Sequence, residues 1–270
     1  MTLTLLLDLD DSLLVNHLNT LHYPFTRMNT YTTAHFTKPN PAYYAEFLAQ
    51  LGWQEGAVVM VGNDYQADIL PARRLGLPTY FVTESAPQAP ADPQIGWGPL
   101  ENLIPWVDSQ PEGSLHPRFA TPEALQAILR ANPAAASTLL ARIPPENLCR
   151  RPAPDVWAVC EILCHLRDVE REVNLPRLQA ILNGENPFIP LVNSDPWAET
   201  RNYICQNPAQ ALQDYCTARL ELLNLLENLA PQDWQRPARH AIFGPTTLFE
   251  TIEFLTRHDQ LHLRQMFQAV

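Results

Sequence analysis

Three of the chain's eight histidines, His165, His258 and His262, have neighbours and spacings that could do chemistry. His258 and His262 fall in the series Leu248, Ile252, Leu255, His258, His262, Met266, with spacings of three and four. That spacing predicts one inward helix face with the two imidazoles a turn apart. His165 shares its predicted face with Ile162, Val169, Glu161 and Glu172. Two facing helices could then deliver three ring nitrogens to one divalent metal ion at ~2.0–2.1 Å, leaving a fourth position for water or substrate. An isolated His-x-x-x-His is equally compatible with ordinary core histidines. The third imidazole on a second apolar face favours the metal. Cys160 and Cys164 read as core thiols, His240 as a loop residue, and Glu161 and Glu172 as exposed helical carboxylates or supporting partners of the site.

A second constellation is acidic. Residues 3–8 are a short apolar run that ends in Asp8-Leu9-Asp10, as a buried parallel strand does when it carries carboxylates to its edge. There, one aspartate could attack phosphorus and the other move the proton, with Mg²⁺ offsetting the repulsion between anions. A polar turn would read the same way. Lys38, the single lysine of the chain, precedes a predicted helix, and Asn63-Asp64 and Asp68 follow a second apolar run, 57–61.

The intervening pattern assigns each constellation to its own fold. Apolar strands at 3–8, 57–61 and 79–82 alternate with helical stretches at 41–51 and 67–75, which predicts an α/β domain with a parallel sheet over 1–108. Residues 85–98 read as a loose connection, and 100–107 as a short amphipathic piece. Long helical periodicity over 121–143, 155–183, 208–229 and 246–268 predicts an all-α four-helix bundle over 121–270, with 109–120 as a linker. Many of the 26 prolines fall between Pro87 and Pro154, in keeping with that connection.

Composition narrows the function. Eighteen basic residues against 29 acidic ones give a net charge of −11, which disfavours phosphate-led nucleic-acid binding and anionic membrane surfaces. No apolar run approaches the ~20 residues of a membrane span. Five unpaired-looking cysteines imply a reducing, cytoplasmic setting.

The segments Trp157-Ala-Val-Cys-Glu161-Ile-Leu-Cys-His165-Leu-Arg-Asp168, Asp233-Trp234, Phe243-Gly-Pro-Thr-Thr-Leu-Phe-Glu250 and His258-Asp259-Gln-Leu-His262-Leu-Arg-Gln265 resemble the DinB-like family of four-helix bundles. The resemblance implies a bundle that binds nickel, zinc or a similar metal through His165, His258 and His262. Such bundles are often homodimeric, and some are thiol-dependent transferases or isomerases. Asp8-Leu9-Asp10, Lys38-Pro39-Asn40-Pro41 and the stretch from Val59 to Ile69 resemble the haloacid dehalogenase-like (HAD) hydrolases. By that resemblance Asp8 is the nucleophile, Asp10 the acid/base and Lys38 the phosphate-side cation, while Asp68 with Asp64 or Asn63 holds magnesium. Only about 30 residues separate Asp10 from Lys38, too few for the cap and phosphate-binding strand of a complete member. The expected function is a metal-dependent enzyme acting on a small molecule at the histidine site. The alternatives are an impaired phosphohydrolase at Asp8 and a non-catalytic metal-dependent binding module.

Overall fold

The structure, a computed structural model, describes residues 3–8, 34–84 and 95–269. The described chain forms two compact units.

The first unit is built on a parallel sheet. Strand β1 (Leu3–Asp8) pairs with β2 (Ala57–Gly62) in a register running from Leu3↔Ala57 to Asp8↔Gly62. Strands β3 (Thr79–Val82) and β4 (Ile95–Gly98) extend it in the order β1-β2-β3-β4. Residues 57–62 are all buried, as expected of a central strand covered on both faces. Helix α1 (Pro41–Gln50), of which residues 41–44 belong to this unit, precedes β2, and α2 (Leu70–Leu75) follows it after a π-helical turn, Tyr65–Ile69. Gly76 closes α2 at φ 99°, a conformation a side chain would resist. Helix α3 (Leu103–Ser109) completes the unit.

Strand β4 occupies residues predicted as loose connection. Its Ile-Gly-Trp-Gly sequence hides it, because Gly96 is set by packing: a Cβ there would lie 2.4 Å from the Trp106 ring and 2.7 Å from that of Tyr80. The expected linker, 109–120, also belongs to this unit. Leu115 is in its core beside Val59, Val61 and Tyr80, its carbonyl accepts from Val58 N at 3.0 Å, and Arg118 N donates to Gly76 O at 2.9 Å. A proline-rich stretch can dock in this way when one apolar side chain finds the core and the backbone finds partners.

The second unit is the four-helix bundle: α4 (Pro122–Arg142), α5 (Val159–Val169) continuing through a π turn into α6 (Leu175–Asn183), α8 (Pro208–Glu227) and α9 (Leu248–Gln268). The π turn, Glu170–Asn174, precedes Pro176, whose ring would clash with the carbonyl four residues back in a regular helix. Helix α7 (Trp197–Thr200) and a small sheet of β5 (Phe188–Ile189), β6 (Pro237–His240) and β7 (Gly244–Thr247) fill the connections. His240, expected in a loop, is a buried residue of β6. Residues 45–54 also belong to this unit. Trp53 Nε1 donates to Asn132 Oδ1 of α4 at 3.0 Å, and Arg264 of α9 donates to Trp53 O at 2.7 Å. The bundle therefore draws on sequence well before residue 121. None of the described helices is long and apolar enough to cross a membrane.

Candidate metal centre and the acidic sheet edge

Helices α5 and α9 place the histidines, and both helices start from well-satisfied N-termini. At α9, Thr247 Oγ1 accepts from Glu250 N (3.2 Å) while Glu250 Oε2 accepts from Thr247 N (2.8 Å), a reciprocal cap. At α5, Glu161 accepts from Ala158 N at 2.9 Å and from Arg151 at 2.6 and 2.8 Å. Glu161 is thus buried and committed to the helix start. Glu172 is tied to Arg201 at 2.5 and 2.9 Å.

From these helices His165, His258 and His262 converge, with ligand atoms all within 4.8 Å of one another. Among the described residues theirs is the one group of three potential ligands so arranged. His258 Nε2 lies 3.1 Å from His165 Nε2 and 3.2 Å from His262 Nε2. Nitrogens bound tetrahedrally at ~2.0–2.1 Å are about 3.3 Å apart, so the observed separations match a shared cation. Lone pairs facing one another at that distance repel unless a proton or a cation lies between them. Burial pushes the His165 imidazole down to about 2, aided by His262 and then His258; burial takes His262 down to about 4, aided by His258. Both are neutral at pH 7, as metal binding requires.

Neighbouring groups aim the rings. His262 Nδ1 is 2.8 Å from Gln265 Oε1; Nδ1–H donates there, leaving the Nε2 lone pair for a ligand. Trp157 stacks on His262 at 5.9 Å with the planes 4° apart, and its ring lies 4.9 Å from that of His165. His165 Nδ1 and His258 Nδ1 have no hydrogen-bond partner. Beneath His258, Asp259 is fully buried, with Oδ2 held by Arg219 (2.8 Å), Tyr215 (3.1 Å) and Asn132 (3.4 Å). Burial alone would raise the Asp259 carboxyl; the Arg219 guanidinium more than reverses this and holds it well below the usual carboxylate range. Arg219 is itself buried against Glu170, at 2.5 and 3.1 Å.

The acidic edge of the first unit is different. Asp8 ends β1 opposite Gly62, and Asp10 lies outside the described residues. Lys38 Nζ donates to Asp68 Oδ1 at 2.6 Å, and the Asp64 amide donates to Asp68 Oδ2 at 3.0 Å. Asp64 uses its own carboxylate to cap the π turn, accepting from Gln66 N and Ala67 N at 2.9 Å. Lys38, Asp64 and Asp68 are thus gathered as expected, but both Asp68 oxygens already have donors. A cation there would have to displace Lys38 or share its oxygen.

Comparison with known proteins agrees with this division. Residues 128–266, just over half of the chain, match the profile of the DinB superfamily. The chain belongs to the DinB superfamily. Residues 35–94 match a second profile, that of HAD-hydrolase-like proteins. The uncharacterized protein YuaE of Bacillus subtilis is 23% identical over 137 residues, which is 45% of this chain and 82% of YuaE. The solved structure of YfiT from Bacillus subtilis, described as "a probable metal-dependent hydrolase with an unusual four-helix bundle topology", superposes with a TM-score of 0.51 at 19% identity. It covers 59% of this chain and 90% of YfiT, and confirms the fold of the DinB bundle.

Arg219, Glu170, Tyr215 and Asn132 were not singled out by sequence reasoning. A signal for Arg219 existed: it interrupts the otherwise apolar stripe Leu212, Tyr215, Leu222, Leu226 of α8, where a solvated charge has no place.

Proposed function

We infer that the bundle holds one divalent transition metal through Nε2 of His165, His258 and His262 and acts as a metal-dependent enzyme on a small-molecule substrate. The observation that carries this is the convergence of three ring nitrogens from two helices, with Nε2–Nε2 separations of 3.1 and 3.2 Å. Three protein nitrogens leave a coordination position open, which distinguishes a catalytic from a structural zinc-type site. When bound, such a metal supplies Lewis acidity and lowers the pKa of a coordinated water toward 7. The chain's own residues hold and shape the centre. The histidines bind, Gln265 fixes the His262 ring, and Trp157 covers the His262 face and crowds His165. The likeness to YfiT makes hydrolysis the first reaction class to assay, and the family resemblance makes transfer of a thiol to an electrophile the second.

The test is hydrolysis of a panel of aryl esters and amides by the metal-loaded protein, the chelator-stripped protein and His258→Ala, with a parallel thiol-conjugation panel. Turnover should require the metal and should be lost in His258→Ala. Equal rates in all three preparations would sink the reading.

A further inference from the structure

We propose that Asp259, anchored at the end of a buried chain that starts at Trp53, positions His258 for metal binding. This inference rests on the metal reading above, and concerns how the chain's own residues prepare the centre.

Two buried polar atoms here lack hydrogen-bond partners and face each other: His258 Nδ1 and Asp259 Oδ1, 3.7 Å apart. The gap exceeds a hydrogen bond, yet no other group is within bonding reach of either atom. Buried groups left in this state are costly, so a matched pair of them points to an interaction completed in another state of the site. If His258 Nε2 takes a metal, its proton must reside on Nδ1, and Asp259 Oδ1 is the acceptor in place to receive it. A carboxylate behind a ligating imidazole fixes its tautomer and orientation and raises its basicity.

Everything else around Asp259 serves to immobilise it. Its second oxygen takes three donors, from Arg219, Tyr215 and Asn132. Asn132 is held in turn by the indole N–H of Trp53, a residue far from the bundle in sequence. Trp53 has φ 48°, a conformation rare for a bulky side chain that persists only where its surroundings over-determine it. Its backbone carbonyl supplies part of that restraint by accepting from Arg264 at 2.7 Å, on the same helix as His258. A line of hydrogen bonds thus runs from Trp53 Nε1 through Asn132 to Asp259, whose free oxygen stands 3.7 Å from His258 Nδ1.

The charges agree with this. Arg219 carries one positive charge against the two negative charges of Glu170 and Asp259, all three buried. The trio retains one net negative charge, and the oxygen left without a donor is the one beside the ligand ring. A cation at the three histidines offsets that charge. A network built for stability alone would have a second donor on Asp259 Oδ1.

The experiment titrates full-length, metal-stripped protein with Co(II), whose visible absorption reports occupancy and ligand geometry together. Melting temperatures of the metal-free forms are measured alongside. Asp259→Asn should weaken Co(II) binding by about 10–100-fold and shift the absorption band. Trp53→Phe, which removes one N–H and leaves every charge, should weaken it by a smaller factor. A purely structural role would lower the metal-free melting temperature without moving affinity or band. Folded Asp259→Asn protein with wild-type affinity and spectrum overturns the proposal. If that variant does not fold, Trp53→Phe decides: reduced affinity supports the chain from Trp53 to His258, and unchanged affinity overturns it. Wild-type protein that takes up no Co(II) removes the metal reading itself, and this inference with it.

Discussion

The two candidate cation sites use opposite arrangements of polar atoms. In the bundle, three ring nitrogens face one another at 3.1 and 3.2 Å, and behind them His165 Nδ1, His258 Nδ1 and a buried carboxylate oxygen of Asp259 have no hydrogen-bond partner. At the sheet edge, Asp68 is the matching deeply buried acid, and both of its oxygens are taken, by Lys38 and by the Asp64 amide. The first arrangement leaves buried polar atoms unmatched, while in the second both oxygens of the buried acid have donors. Matching residue types to a family motif does not distinguish these situations. The count of unsatisfied lone pairs does, since burial makes each one expensive.

That contrast is broken most severely at the buried charges. Arg219→Met would leave Glu170 and Asp259 buried without their cation and should cost about 3–5 kcal/mol, seen as a large fall in the urea midpoint of the helical signal. Lys38→Met removes the corresponding partner of Asp68, but the Lys38 side chain is 24% exposed and water can take its place. Its effect should be clearly smaller. Equal losses in the two variants would mean that the bundle's network is no more demanding than the sheet's ion pair.

Acid sharpens the comparison from the histidine side. His165 and His262 have folded-state values near 2 and 4, below the ordinary 6.5. As pH falls the unfolded chain therefore gains these protons first. Their contribution is at its full value above about pH 6.5 and is lost from there down toward pH 4 for His262 and toward pH 2 for His165. Each such proton adds about 1.4 kcal/mol per pH unit to the slope of stability in that window. Metal-free His165→Leu protein should show a shallower slope than the wild type in urea titrations between pH 6.5 and 4. Parallel curves would mean that His165 is not buried neutral.

Much of this was legible in the sequence, and the misses have physical causes. The long helices announced themselves through their 3.6-residue apolar stripes, and β1 to β3 through uninterrupted apolar runs. The three histidines were found because they break those stripes at ligand spacing. Strand β4 was missed because contact with Trp106 and Tyr80 demands glycine where a strand usually shows a branched residue. The network beneath His258 was missed because its members, Asn132, Glu170, Arg219 and Asp259, are each one charge or amide on a different helical segment. Only the fold shows that they meet. Trp53 gave no signal for the same reason, since it comes from a segment that reads as part of the α/β domain.

The role of that segment gives a moderate effect. A fragment starting near Ser114 keeps the four long helices but lacks Trp53 and the buried Phe47 and Leu48. It should show a helical circular dichroism spectrum and melt several degrees below the full chain, as expected for a loss of a few kcal/mol from a domain of this size. A melting temperature equal to that of the full chain would show that residues 45–54 contribute nothing to the bundle.

The smallest effect is expected at Asp8. With Asp68 already paired, and too short an interval between Asp10 and Lys38 for a cap and donor strand, hydrolysis of an aryl phosphate with Mg²⁺ should be near background. Asp8→Asn should leave it unchanged. Robust turnover abolished by that substitution would place phosphoryl chemistry ahead of the histidine site.

The most direct measurement is elemental analysis of the full-length protein, purified without chelator, beside His258→Ala. The three-histidine centre predicts about one transition metal per wild-type chain and little or none in the variant, because two imidazoles hold such ions far less tightly than three. Wild-type protein without metal, or a variant that retains full occupancy, would contradict it.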